Sequence, residues 1–121
     1  MKNMKYKPIE YNPQIYPLKI WIYIGEEKIT MFDEDIEELE LDEEAATYAV
    51  QFKGVGGILI VFRSKDVMTM KTIAHESAHA AIHIFEYIGA EITASAEEPF
   101  AYLSGWISGC CEETKEKYGR T

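Results

Sequence analysis

The residues best suited to chemistry are two histidines four positions apart, His75 and His79, with Glu76 directly after the first. Side chains at i and i+4 of an α-helix lie one turn apart on one face, so both imidazoles can bind one metal ion. Zinc lowers the pKa of a bound water towards neutrality, and an adjacent carboxylate can take the proton of that water. This HExxH pattern therefore predicts one Zn²⁺ ion held by the two histidines, with Glu76 as general base. The competing interpretation is a helix that carries two partly exposed histidines.

A further histidine, His83, follows His79 by four residues. In a helix it would lie about 12 Å along the axis from His75, so the three histidines cannot share one ion. We expect His83 on the surface or beside a ligand. Because two histidines do not complete a zinc site, another protein ligand must come from elsewhere in the chain.

The third ligand is expected at the start of a second helix, at Glu98, with Glu97 as the alternative. Small residues follow Glu98 at helical spacing, and a face of small residues can pack closely against a neighbouring helix. Such packing would let a short carboxylate reach a metal on that neighbour. The opposing interpretation is that both acids only stabilise the helix N-terminus through its dipole. The small residues are Ala101, Gly105 and Gly109, and they would face Ala74, Ala78 and Ala81 of the HExxH helix.

The first half of the chain is expected to form the sheet. Residues 18–24 alternate between aliphatic side chains and Lys19, Trp21 and Tyr23, which is typical of a strand buried on one face. Glycine-containing turns predict two hairpins, and residues 58–62 are apolar on both faces, so they belong inside the sheet. The predicted strands are residues 18–24, 28–32, 46–53 and 57–63.

The second half is expected to be helical. Residues 66–87 contain neither glycine nor proline, and Gly89 provides a stop signal. Residues 90–97 form a connector, and Pro99 suits the first turn of a helix that extends to about Lys117. The order of elements predicts an α+β fold: a small, mainly antiparallel sheet of about four strands, followed by two packed helices with HExxH on the first.

Length and charge narrow the possible functions. The 121 residues suit one domain, residues 18–121, preceded by an extended arm, residues 1–17, in which prolines oppose helix formation. The net charge of −9 disfavours nucleic-acid binding. No segment resembles a signal peptide or a membrane span, and the two cysteines are adjacent, so we expect a reduced, cytoplasmic protein without membrane partners.

The negative charge is concentrated in residues 33–44, an acidic segment in which nine of twelve residues are acids. The rest of the chain contains equal numbers of acids and bases. If the acidic segment borders an active-site cleft, it would favour basic peptides. Otherwise it is a solvated loop or short helix, anchored by Ile36, Leu39 and Leu41.

A strand-rich half, a HExxH helix, a short connector and a glutamate that opens a second helix together resemble the gluzincin zinc metallopeptidases. At this length the chain is most similar to the minigluzincins, and residues 97–107 also resemble small HExxH proteins of phages and prophages. The resemblance implies hydrolysis of peptide or protein substrates, with His75, His79 and Glu98 as zinc ligands and Glu76 as general base. The alternative is a zinc-stabilised binding or structural protein without catalysis, such as a phage component.

The resemblance has one departure and one further implication. Thermolysin-like gluzincins carry an aspartate four residues after the glutamate ligand, whereas this chain has Tyr102, whose hydroxyl would contact a histidine or stabilise an oxyanion. Gluzincins also bind substrate as an added strand on a sheet edge. Here that edge would come from residues 46–52 or from the acidic segment.

Overall fold

A four-stranded mixed sheet forms the first layer of the protein. The computed structural model describes residues 7–118 and contains β1 (Ile9–Tyr11), β2 (Lys19–Ile24), β3 (Ala45–Phe52) and β4 (Val55–Phe62). The spatial order is β1-β2-β4-β3. The β1–β2 and β3–β4 pairs are antiparallel, whereas β2 and β4 are parallel. With two helices after the strands, the predicted α+β fold is confirmed.

The strand predicted at residues 28–32 is wrong. This segment forms only an isolated bridge between Ile29 and Ile36, and β1 from the N-terminal arm pairs with β2 instead. Ile29 and Phe32 are buried against the sheet face that is remote from the helices, so their apolar side chains serve packing rather than strand pairing. Residues 1–6 of the arm lie outside the described residues.

Both faces of the central strands are buried. The aliphatic side chains of β2, with Leu18 just before it, join the core under the helices, whereas Trp21 and Tyr23 join a second core on the opposite face. β4 lies between β2 and β3, as its apolar sequence predicts. Trp21 and Tyr23 are therefore core residues.

The β3–β4 hairpin turns through two residues, Lys53 and Gly54, both with positive φ, at 52° and 82°. Such a pair matches the strand twist in tight hairpins, and glycine adopts the conformation without strain. The carboxylate of Asp33 accepts the backbone N–H groups of Lys53 and Gly54, each at 2.8 Å. The first residue of the acidic segment is therefore hydrogen-bonded to the tip of this hairpin.

Two helices form the second layer, α1 (Met70–Ile88) and α2 (Glu97–Lys117). The side chain of Thr69 caps the start of α1, and Gly89, with φ of 76°, ends it as predicted. Ring centroids of Phe85 and Phe100 lie 5.6 Å apart, and Ser77 Oγ lies 4.0 Å from Cys111 Sγ, so the helices run antiparallel. Within residues 7–118, neither helix is long and apolar enough to cross a membrane.

The predicted contact between small-residue faces of the two helices is wrong. Ala101, Gly105 and Gly109 are exposed, and Ala74 is exposed on α1. Burying larger apolar side chains removes more area from water, and this outweighs a closer backbone approach. The side of α2 that packs into the core contains Leu103, Ile107, Cys110, Cys111 and Thr114.

Candidate metal centre and adjoining cleft

His75 and His79 are brought together on the exposed side of α1. Their Nε2 atoms lie 3.2 Å apart, and their ring centroids are 4.7 Å apart. Two imidazole nitrogens at zinc-bond length in a tetrahedral site would be separated by about 3.3 Å. The two side chains therefore fit a shared zinc ion with little rearrangement.

Glu76 lies on the side of α1 that faces the sheet, and only 7% of its surface is exposed. The hydroxyl of Thr47, on β3, donates to Glu76 Oε1 at 2.6 Å and approaches the Glu76 carbonyl at 3.3 Å. A hydrogen bond to an ionised group is stronger than one between neutral groups. Thr47 therefore fixes the carboxylate at the boundary between α1 and β3.

The structure does not bring Glu97 or Glu98 to the histidines. Both glutamates are exposed at the start of α2. The contact between Phe100 and Phe85 shows that this start lies beside the last turns of α1. Counting along both helices at 1.5 Å per residue places Glu98 about 12 Å from His79 along the axis. Among residues 7–118, no group of three or more His, Cys, Asp or Glu side chains could hold a metal. The histidine pair fits zinc, and its third ligand stays a prediction.

The other two sequence candidates occupy different surroundings. Tyr102 is 78% exposed on α2. His83 is half-buried near the C-terminal end of α1, and its Nδ1 atom lies 3.9 Å from Glu86 Oε1. His83 therefore lies two helical turns from His75, as its spacing predicts, and it lines a cleft.

This cleft, of about 680 Å³, lies between the β3–β4 hairpin and the C-terminal half of α1. Sequence reasoning missed the cleft. The available signal was Gly56, because the missing side chain leaves room for the Tyr87 ring of α1 beside β4. The lining residues are Leu18, Asp33, Glu34, Ile36, Ala49, Val50, Gln51, Gly56, Gly57, Ile58, His83, Glu86 and Tyr87.

β3 forms one edge of the sheet, so residues 46–52, one of the two segments predicted for the substrate edge, do lie at an edge, and substrate binding there stays a prediction. The Gln51 carbonyl accepts the N–H of Asp33, away from β4, while the Glu44 carbonyl accepts the N–H of Arg63, on the β4 side. Backbone direction alternates along an antiparallel strand. Thr47 and Ala49 therefore direct their N–H and C=O groups outward like Gln51, and these groups have no partner within the described part of the chain.

The acidic segment divides into two parts. Asp33 and Glu34 line the cleft, whereas the remainder is held as a loop by Arg63. The Arg63 guanidinium donates to the carbonyls of Glu40 and Glu43, with Nε–O at 2.9 Å for the latter. Of the three predicted apolar anchors, Ile36 and Leu39 pack on the second core, but Leu41 is fully exposed.

Comparisons with known proteins give no match: no family model, no curated protein and no solved structure matches this chain. Function must therefore be inferred from the arrangement of its own side chains. The two imidazoles and the restrained carboxylate of Glu76 are the groups in that arrangement with a defined chemical capability.

Proposed function

We propose that this protein is a zinc-dependent metallopeptidase of minigluzincin type that hydrolyses peptide bonds. The observation that carries the proposal is the 3.2 Å separation of the His75 and His79 Nε2 atoms, on the same helix as the restrained Glu76. Zinc, when bound there, supplies an acidic water and polarises the peptide carbonyl. A cytoplasmic location is part of the proposal, since Cys110 and Cys111 are free thiols, as expected in a reducing compartment.

In this mechanism Glu76 takes the proton of the attacking water and returns it to the leaving amine. Its carboxylate is largely shielded from bulk solvent and hydrogen-bonded by Thr47, so few orientations are open to it. A substrate strand on the outward edge of β3 would lie beside the same carboxylate. Glu98 is proposed as the third zinc ligand, with Glu97 as the alternative and Tyr102 as an assisting group.

The decisive experiment combines metal analysis with peptide cleavage. We expect about one tightly held zinc per chain, lost in His75→Ala and His79→Ala, as one-site stoichiometry requires. His83→Ala is the matched control and should keep the metal. Glu76→Gln should also keep it, while peptide cleavage falls by about 10²- to 10⁴-fold, the usual contribution of a general base. Less than half an equivalent of zinc in the native protein, or full retention by His79→Ala, would overturn the proposal.

The third ligand is tested by comparing Glu98→Gln with Glu97→Gln. We expect the first substitution to weaken zinc affinity by at least about tenfold more than the second, because only a direct ligand contributes a charged oxygen. Equal, small effects would exclude Glu98 as a ligand. Competition with a chromophoric chelator measures both affinities.

The second candidate function is a zinc-stabilised binding or structural protein without turnover. The observation that favours it is the position of Glu97 and Glu98, which the structure leaves far from the histidines. This candidate predicts bound zinc, no cleavage of a diverse peptide library, and an unchanged biological role for Glu76→Gln. Cleavage that disappears in Glu76→Gln would exclude it.

A further inference from the structure

The cleft between the β3–β4 hairpin and α1 has an apolar floor and an acidic rim. Leu18 and Ile58, buried residues of the core under the helices, contribute the floor, and Val50 of the opposite core also lines the cleft. Three carboxylic acids line the cleft, whereas its lining contains neither lysine nor arginine. A long side chain with an apolar stem and a cationic end matches this combination, because its stem can contact the floor while its charge stays at the wet rim.

The three acids at the rim differ in the hydrogen bonds and ion contacts that they already form. Both carboxylate oxygens of Asp33 accept backbone N–H groups at the hairpin tip, so this residue contributes charge but little free hydrogen-bonding capacity. Glu34 and Glu86 are exposed, and Glu86 has only a distant contact with His83, at 3.9 Å. Glu34 and Glu86 are therefore the carboxylates that can pair with an incoming cation.

The position of the cleft relative to the sheet edge supplies an independent argument. Ala49 and Gln51 line the cleft, and Ala49 also belongs to the stretch of β3 whose outward N–H and C=O groups are unpaired within residues 7–118. Unpaired backbone groups at a sheet edge are a template for an extended peptide. A peptide on this edge would pass Thr47, which contacts Glu76, and then the mouth of the cleft.

We propose that the cleft beside β3 binds a lysine or arginine side chain of an extended peptide that pairs with the Thr47–Ala49 edge. This inference rests on the proposed function and adds its substrate class: peptides with a basic residue near the scissile bond. At about 3.3 Å per residue, positions 49–51 lie about two to four residues from the position opposite Thr47. The basic residue therefore lies two to four positions from the bond held beside Glu76.

The test measures peptide binding separately from cleavage. Fluorescein-labelled decapeptides of serine and threonine, each with a single Lys, Gln or Glu scanned along the sequence, are titrated into the Glu76→Gln protein and followed by anisotropy. We expect Lys to bind about two- to fivefold more tightly than Gln at one or two positions, the range for an exposed ion pair. The preference should shrink in 0.5 M salt because such pairs are screened.

Two double variants with the same change in net charge separate the effect of the cleft carboxylates from the effect of overall negative charge on peptide binding. Glu34→Gln/Glu86→Gln removes the free carboxylates of the cleft, while Glu38→Gln/Glu112→Gln removes exposed acids that do not line it. We expect the Lys preference to disappear only in the first variant. No Lys preference in the parent protein, or equal loss in both variants, would overturn the inference. Because binding is measured without turnover, a failure of peptidase activity would be seen separately.

Discussion

Replacing Thr47 by valine removes the hydroxyl that donates to Glu76 Oε1 at 2.6 Å and preserves the size and β-branching of the side chain. Glu76 is buried to all but 7% of its surface, so little water can replace the lost donor. Removing one partner of a hydrogen bond to a buried charged group leaves that group poorly solvated. The stability of the metal-free protein should therefore fall, whatever its biological activity.

The size of the effect follows from the kind of bond that is lost. Hydrogen bonds to charged groups contribute about 1.5–3 kcal/mol, and water that reaches the partly exposed edge of β3 reduces the loss. We expect Thr47→Val to lower the free energy of unfolding by about 1–3 kcal/mol. Thr47→Ser keeps the hydroxyl and loses one half-buried methyl group, so its cost should stay below about 1 kcal/mol.

Urea denaturation in the presence of a chelator measures both variants without a contribution from bound metal. A double-mutant cycle with Glu76→Gln isolates the pair, since a neutral amide accepts a weaker hydrogen bond than a carboxylate. Thr47→Val should therefore cost less in the Glu76→Gln background. Equal stability of Thr47→Val, Thr47→Ser and the parent protein would refute the conclusion that this hydrogen bond restrains Glu76.

Three further predictions concern other parts of the fold. Gly109→Ala should raise the free energy of unfolding by about 0.5–1 kcal/mol, because open space surrounds this glycine inside α2, whereas Gly89→Ala should lower it by about 1 kcal/mol because of its positive φ. Arg63→Lys should lower it by about 1–2 kcal/mol, because lysine lacks the fork that holds two carbonyls of the acidic segment. Burial raises the pKa of both Cys110 and Cys111 to about 12, so neither thiol should react with a disulfide reagent at pH 8 unless the protein unfolds.

Urea denaturation tests the first two of these predictions. The third is followed by the absorbance of the thiolate that the disulfide reagent releases when it reacts with a cysteine. The unfolded chain loses its thiol protons near pH 9 and the folded chain only near pH 12, so stability should fall as pH rises between these values. A destabilising Gly109→Ala would mean that α2 presses its small residues against another helix after all. Rapid labelling of both thiols in the folded protein would contradict their burial.

Local patterns in the sequence predicted the elements that position Glu76. Alternation along β2, the glycine-containing turn before β4 and the stop at Gly89 depend on residues that are close in sequence, and the structure contains all three features. The extent of α1 was predicted less well, since residues 65–67 form a separate short 3₁₀ turn before Thr69 caps the helix. Turn and cap preferences act over a few residues, so a single sequence reveals them.

Features that depend on distant partners were not predictable in the same way. The arm supplied β1 in place of residues 28–32, whose Ile29 and Phe32 pack on the second core instead, and such tertiary packing is not visible in local sequence patterns. The contact between Thr47 and Glu76 links residues 29 positions apart, and no spacing rule reports it. The cleft has the same origin, as it is formed by four segments that meet only in the folded chain.

The relative position of α1 and α2 determines whether Glu98 can reach the two histidines. It therefore bears on whether the protein is a peptidase or a zinc-stabilised binding protein. Placing Glu98 level with His79 requires α2 to slide by about 12 Å, or roughly two helical turns. That movement would separate Phe100 from Phe85 and draw Leu103 and Ile107 away from their present contacts, at about 1.5–3 kcal/mol for each side chain exposed. Structural zinc sites contribute about 10–16 kcal/mol in small domains, which is of the same order as the cost of freeing the whole buried side of α2. The register of the two helices therefore opposes Glu98 as a ligand unless zinc binding offsets the lost packing, and the zinc affinity of Glu98→Gln tests whether it does.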